Sequence, residues 1–373
     1  MNEDKAARYN RLKRSAGVVS LSVSAACSVL LLASGASGAM RDTAFRAAAS
    51  ISPAAFVPTV TVAVYVLLLL TLTEAVSLPV SFYGGYLLER RYELSNESLG
   101  AWARDQLKSL AIGVVLAGAA ASILYALIRR WPDGWWLPAG LVFAMLIVGL
   151  AQIAPVLLLP LFYTVKPLGR DELRSRLLAL ADRAGARVLG AYEWGLGEKS
   201  KKANAALAGV GGTRRILVSD TMLAEYSDDE IEVVLAHEIA HHVHGDIWKG
   251  ILFESALILV GFYLASRALA TLTGSFAIRG AADVAGLPLL LLCAGAVSVV
   301  MVPVAHALSR AFERRADRFA LDLTRNPQAF ISAMRRLGAQ NLAEERPSKI
   351  VQWLFYSHPP IPERIAAARA FEC

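Results

Sequence analysis

The chain is short of charge: only 18% of its 373 residues are charged, against 55% that are hydrophobic. That imbalance excludes an ordinary soluble domain, whose surface needs more polar side chains than are present here. Cysteine is scarce too. Cys27, Cys293 and Cys373 have neither metal-type spacing nor an evident disulfide partner, so no thiolate cluster or disulfide framework organises the fold. The final residue is itself a cysteine, not the fourth from the end, so the ending is no prenylation signal. No basic run is interleaved with aromatic residues. The net charge of +7 therefore reads as a topology signal and as contact with anionic lipid, and nucleic acid is not an expected partner. Internal repeats and low-complexity linkers are also missing.

What is present is apolar sequence in long runs. Six stretches, near 16–37, 57–84, 107–128, 137–162, 250–271 and 286–308, approach or exceed the roughly 20 residues needed to cross a bilayer. The first is longer than a signal-peptide core and lacks a small-residue cleavage site, so it is expected to stay as an anchor. Lys and Arg near membrane ends favour the cytosolic side. Lys5, Arg8, Arg11, Lys13 and Arg14 before the first span, and Arg90, Arg91, Arg104 and Lys108 after the second, place both segments there. Arg129 and Arg130 oppose this weakly, beside Trp131, Trp135 and Trp136, which resemble an interfacial belt. With an even number of spans, the N-terminus, the polar stretch around residue 237 and the C-terminus all fall in the cytosol. The expected organisation is a four-span bundle over 1–163, a polar part over 164–248, two further spans over 249–308, and a second polar part over 309–373.

The first polar part opens with an amphipathic helix from Asp171 through Ala184. Strand-like runs over 187–194, 203–208 and 215–218 follow, separated by Gly195-Leu196-Gly197 and Gly211-Gly212, and read as a small antiparallel sheet. Next comes Ser227-Asp228-Asp229-Glu230, a capping box ahead of the apolar stripe Ile231, Val234, Leu235 and Ile239. On that helix stands His237-Glu238-Ile239-Ala240-His241. Imidazoles at i and i+4 share one face about one turn apart and can grip one metal ion. Glu238 projects close to that face, where a carboxylate can take a proton from a metal-activated water, as in zinc metalloproteases.

Two histidines leave zinc short of the three protein ligands that a catalytic site normally has. His242 points off the ligand face, His244 lies at the helix end, and His306 belongs to a span. Glu313 is the better candidate. Asp317, four residues on, can accept the outer N–H of a ligand histidine. The alternative is a solvated cluster in which Arg314, Arg315 and Arg318 pair with both acids. In the tail, Pro359 and Pro360 hold the chain extended after His358, and Pro362 suits the first turn of a final helix. His358 could support an oxyanion from there, or belong to a plain surface turn.

Taken in order, 89–108, Pro160-Leu161-Phe162, Asn204-Ala205, 216–221, the His237–His241 motif, Glu313 with Asp317, and 358–364 resemble the type I CaaX prenyl endopeptidases, integral-membrane zinc proteases. The resemblance spans nearly the whole chain. It implies a mainly α fold, a polytopic bundle of about six spans with a gluzincin-like α+β zinc-protease domain. One Zn2+ would be held by His237, His241 and Glu313, with Glu238 as general base and Asp317 behind the ligands. His358 would assist at substrate or oxyanion, Asn204 would sit on a strand that holds the substrate extended, and Arg364 would brace the site and contact substrate. Expected partners are a peptide or protein substrate, lipidated and membrane-embedded ones included, and membrane lipids. The sequence departs in showing six spans where eukaryotic members have seven, and Ala206-Leu207 where aromatic residues often follow Asn-Ala. A quality-control protease of the HtpX type is an alternative, and a transporter or scaffold with an incidental metal helix is another.

Overall fold

A computed structural model of the chain describes residues 4–209, 214–272 and 274–371, with side chains at all of these except 155 and 156. The Gly211-Gly212 turn and Cys373 lie outside the described residues. Five helices come first: α1 (Lys5–Ala33), α2 (Ala36–Ile51), α3 (Val57–Arg91), α4 (Leu99–Arg130) and α5 (Trp136–Ile153). A mixed segment follows, with β1 (Val165–Pro167), α6 (Asp171–Arg183), β2 (Gly190–Trp194), β3 (Ala205–Ala208), β4 (Arg215–Ser219), α7 (Asp220–Glu225) and α8 (Asp228–Val243). Then come α9 (Asp246–Leu272), α10 (Leu287–Thr324), α11 (Pro327–Gln340), α12 (Lys349–Phe355) and α13 (Ile361–Arg369). Six of the helices among the described residues are long and apolar enough to cross a membrane. They overrun the apolar runs because charged turns continue them: α1 starts at Lys5, and α10 runs for 38 residues.

The helix α2 is a finding the apolar pattern did not signal. Gly35, at φ +74, ends α1 in a left-handed conformation that costs a glycine little and redirects the chain into α2. Its small residues Ala44 and Ala48 are fully buried, and Ser37 bonds to the Tyr65 hydroxyl on α3 at 2.6 Å. Small residues also bring α1 and α3 together, since a Cβ on Gly84 would meet that of Ala16 at 3.3 Å.

The sheet has four strands in the order β1-β2-β4-β3, and here the expectation of an antiparallel sheet is corrected: β2 and β4 are parallel. After β2 the chain crosses over a long loop, returns as β3 on the far edge, and β4 folds back between the two. That loop is anchored to the helical bundle. Lys199 bonds to the Phe162 carbonyl at 2.6 Å and pairs with Asp105, and Lys202 lies 3.0 Å from Glu89. Tyr9 and Lys13 of α1 also donate to Glu89, at 2.7 and 2.5 Å. A short backbone ladder joins Leu94–Asn96 to the same loop: Lys201 N donates to Leu94 O at 2.9 Å and Asn96 N to Lys199 O at 3.1 Å. Residues 89–108 thus fasten the sheet to the bundle.

Below the sheet lies one apolar core. Leu173, Leu177 and Leu180 of α6 meet Ile216 and Val218 of β4, Ile231, Leu235 and Ile239 of α8, and Phe330 of α11. Each such Leu or Ile withdrawn from water contributes about 1.5–3 kcal/mol, which holds α8 rigidly against the sheet.

Candidate metal centre

The helix α8 begins as its sequence requires. Ser227 Oγ accepts from Glu230 N at 3.3 Å and Ser227 N donates to Glu230 Oε2 at 2.8 Å, closing the capping box. Glu230 Oε1 also accepts from Ser332 Oγ at 2.5 Å and Arg336 Nε at 3.0 Å, which ties the helix start to α11. Burial alone would raise the Glu230 carboxyl, but these donors hold it below the usual glutamate range.

Two turns later the motif meets α10. One ligand atom each of His237, His241 and Glu313 lie within 4.8 Å of one another. His237 Nε2 is 3.2 Å from Glu313 Oε2, His241 Nε2 is 3.4 Å from Glu313 Oε1, and the two Nε2 atoms are 3.3 Å apart. Each imidazole is held from behind by a carboxylate: His237 Nδ1 by Asp317 at 2.9 Å, and His241 Nδ1 by Asp246 at 3.1 Å. This fixes both rings with Nε2 turned inward.

The donor set fits a divalent cation. Glu313 Oε2 is buried and has no hydrogen-bond partner among the described residues, an expensive arrangement for a carboxylate oxygen unless something else meets it. Burial would lower His237, yet the Asp317 and Glu313 carboxylates push it up to about 9. Arg364 answers Asp317 and Arg315 answers Asp246, whereas Glu313 meets imidazoles, and two nitrogens with one carboxylate suit zinc-like ions. Glu238 is half-buried on the same helix, and burial raises its carboxyl above the ordinary glutamate value, which favours proton uptake by that carboxylate.

The remaining candidates fall in definite places. Glu313 and Asp317 are 5% and 4% exposed, and neither pairs with Arg314, Arg315 or Arg318 among the described contacts, so they are no solvated charge cluster. Arg364 is buried and holds Asp317 through Nε at 2.8 Å and Nη2 at 2.5 Å, with Nη2 also 3.3 Å from His237 Nδ1. It sits behind the imidazole, on the side away from the cluster's Nε2 atoms. His358 is 59% exposed at its side chain and brings Nε2 to 3.4 Å from Glu313 Oε1. Asn204 is exposed immediately before β3, the edge strand. His244 and His306 stay outside the cluster. Asp246 escaped the sequence reading, although it is the first residue of α9, five after His241 and just past the Gly245 turn. It also takes Arg315 and Lys249 as partners.

The model of peptidase family M48 matches residues 167–372, and that described as CAAX prenyl protease N-terminal, five membrane helices, matches residues 2–164. The chain belongs to peptidase family M48. This M48 chain is 33% identical over 312 residues to the uncharacterized metalloprotease YhfN of Bacillus subtilis, covering 83% of this chain and 73% of that protein. It is 27% identical over 319 residues to CAAX prenyl protease 1 of Saccharomyces cerevisiae, covering 80% and 70%. The crystal structure of S. mikatae Ste24p shares its fold at a TM-score of 0.86 and 22% identity, over 98% of this chain and 88% of that one. This M48 protein is a multi-pass membrane metallopeptidase related to the CAAX prenyl proteases. Helices α1–α5 lie within the matched N-terminal residues, and four of them are long and apolar enough to cross a membrane.

Proposed function

We propose that the protein is a zinc metalloendopeptidase of the CaaX prenyl protease type, with one Zn2+ per chain held by His237, His241 and Glu313. The observation that carries this reading is the convergence of those three donors within 4.8 Å, each imidazole backed by a carboxylate. Zinc bound there would supply Lewis-acid polarisation of the scissile carbonyl and acidify water. Glu238 takes the proton of the attacking water on its carboxylate and later delivers it to the leaving amine nitrogen. His358, with Nε2 beside the cluster, donates to the oxygen that gains charge as the carbonyl is attacked. Asp317 and Asp246 keep the imidazoles oriented, and Arg364 keeps Asp317 in place. Asn204 and the edge strand β3 hold the peptide extended.

Glu238→Gln is expected to retain zinc and to lose activity by about 1,000-fold or more, because only the proton carrier is removed. Metal analysis alongside a peptide digest checks this, and near wild-type turnover would remove Glu238 from the mechanism. The match of residues 2–164 to the prenyl-protease N-terminal model favours this type over an HtpX-like quality-control protease. Faster cleavage of a prenylated peptide than of an unfolded membrane protein is the expected outcome, and the reverse preference would support the quality-control role. Loop charges put the N-terminus, the cluster and the C-terminus in the cytosol; labelling of single cysteines introduced beside α1 and α13 from one face of sealed vesicles tests that sidedness.

A further inference from the structure

Strand β3 borders the sheet, and its hydrogen-bonding alternation decides which backbone groups a substrate could use. Ser219 N donates to Asn204 O at 2.9 Å, so residues 204, 206 and 208 turn toward β4. Ala205 and Leu207 therefore turn N–H and C=O to the open side. One of those groups is already taken: His242 Nε2 lies 2.8 Å from Leu207 O, and since a carbonyl only accepts, that nitrogen carries the proton. His242 stands one turn from Glu238 on α8, so it reaches the strand from the catalytic side. In the other direction Ala203 is occupied at both groups. Its N–H donates to Asn341 Oδ1 at 3.2 Å, and its carbonyl accepts from Asn341 Nδ2 at 3.3 Å, the primary amide standing in for a partner strand. Further back, Lys201 is engaged by Leu94 and by Gln340. Past Leu207, β3 ends at Ala208, and Gly209 leaves the extended conformation at φ +104.

We propose that His242 and Asn341 close the sheet edge on either side of Ala205, so that an extended peptide pairs fully with this protein at a single residue. The inference rests on the proteolytic reading above and adds to it a short substrate footprint. A peptide running antiparallel exchanges two hydrogen bonds with Ala205. Its residue two positions nearer the N-terminus can only accept from Leu207 N–H, because Leu207 O is already bonded. Its residue two positions nearer the C-terminus finds no free backbone group. The substrate class is accordingly a mobile tail or loop with one extended residue at the strand, not a long strand laid along the sheet.

The test uses the full-length protein in detergent and a decapeptide cleaved by the wild type, with each backbone amide N-methylated in turn. Hydrolysis is followed with the wild type and binding with Glu238→Gln. One N-methyl position beyond the scissile amide is expected to weaken binding, by about tenfold, the scale of one backbone hydrogen bond in a desolvated site. In His242→Ala a second sensitive amide should emerge two residues toward the peptide N-terminus, while His242→Gln, which can still donate to Leu207 O, should keep the single position. In Asn341→Ala the second position should emerge two residues toward the C-terminus. Two or more sensitive positions in the otherwise native binding site, or an unchanged pattern in both alanine variants, would overturn the proposal while leaving the protease assignment standing. Absence of hydrolysis by the wild type would overturn that assignment, and this inference with it.

Discussion

Helix α10 carries a buried ionic cluster near each of its ends, and the two differ in how their charges are met. Before its N-terminus, Asp283 accepts from Arg41 at 2.6 Å and from two backbone N–H groups, those of Arg279 and Ala285, at 2.8 and 3.0 Å. Arg41 in turn bonds to Asp42 and to the Ala277 carbonyl. Acids and guanidinium answer one another there, and the cluster ties α2 to the start of α10. About 39 Å along the same helix, at 1.5 Å per residue from Leu287, Glu313 faces imidazoles, and its Oε2, though 3.2 Å from His237 Nε2, has no hydrogen-bond partner among the described residues. Buried charges that are fully paired make a clamp; buried charges left one cation short make a binding site. Burial alone does not separate the two cases. The inventory of partners does.

Substitution can break this contrast at either end. The largest effect belongs to Glu313→Ala, which removes the only carboxylate of the donor set. Metal should be lost on dialysis and proteolysis should fall below detection, and unchanged metal content would exclude Glu313 as a ligand. Asp283→Ala comes next. It leaves Arg41 buried with a weaker partner and should cost about 3 kcal/mol in thermal unfolding, with metal content and activity at 25 °C intact; a variant that lost metal instead would show that the two clusters are coupled. Asp246→Asn sharpens the comparison within the metal end. Loosening the carboxylate behind His241 should weaken metal retention about 10–100-fold in a chelator competition without abolishing it.

The smallest effect concerns Glu230, paired like the far cluster yet close to the motif. Its carboxyl is held below the ordinary range, so its contribution is fully present above about pH 4.3, the unfolded value, and disappears as pH falls through the folded one. Glu230→Gln should therefore unfold about 1 kcal/mol more easily at pH 7 and lose that difference as the pH falls well below 4. A gap that stays constant between pH 7 and pH 3.5 would show that the carboxylate charge is not what fastens α8 to α11.

Much of this was legible in the residues. The capping box, the apolar stripe and the two imidazoles are local patterns, and local geometry carries them into the structure unchanged. Glu313 was legible as a candidate because it stands four residues before Asp317 at the end of an apolar run, although a solvated cluster with Arg314, Arg315 and Arg318 explained the same pattern equally well. Three features were not legible. Asp246 follows a glycine turn, and only the direction of the next helix brings it under His241. The parallel pairing of β2 with β4 depends on where the loop after β2 is anchored, a matter of Lys199 and Lys202 finding Asp105 and Glu89 in the bundle. Helix α2 rests on alanine and serine packing against α3, which no hydropathy window registers. In two of the three cases the deciding contact is far away along the chain; for Asp246 it is only five residues away, but across a turn whose direction the sequence does not show.

Neither α9 nor α10 is apolar throughout: α9 starts with Asp246 and α10 carries Glu313 and Asp317 before it stops. Glu313 of the cluster and Asp246 behind His241 thus sit on the polar ends of two long apolar helices. A detergent that lets those two helices drift apart is expected to weaken metal retention while the sheet and α8 are still folded, which metal analysis set against unfolding would check. Metal retention would then gauge how well the bundle is seated.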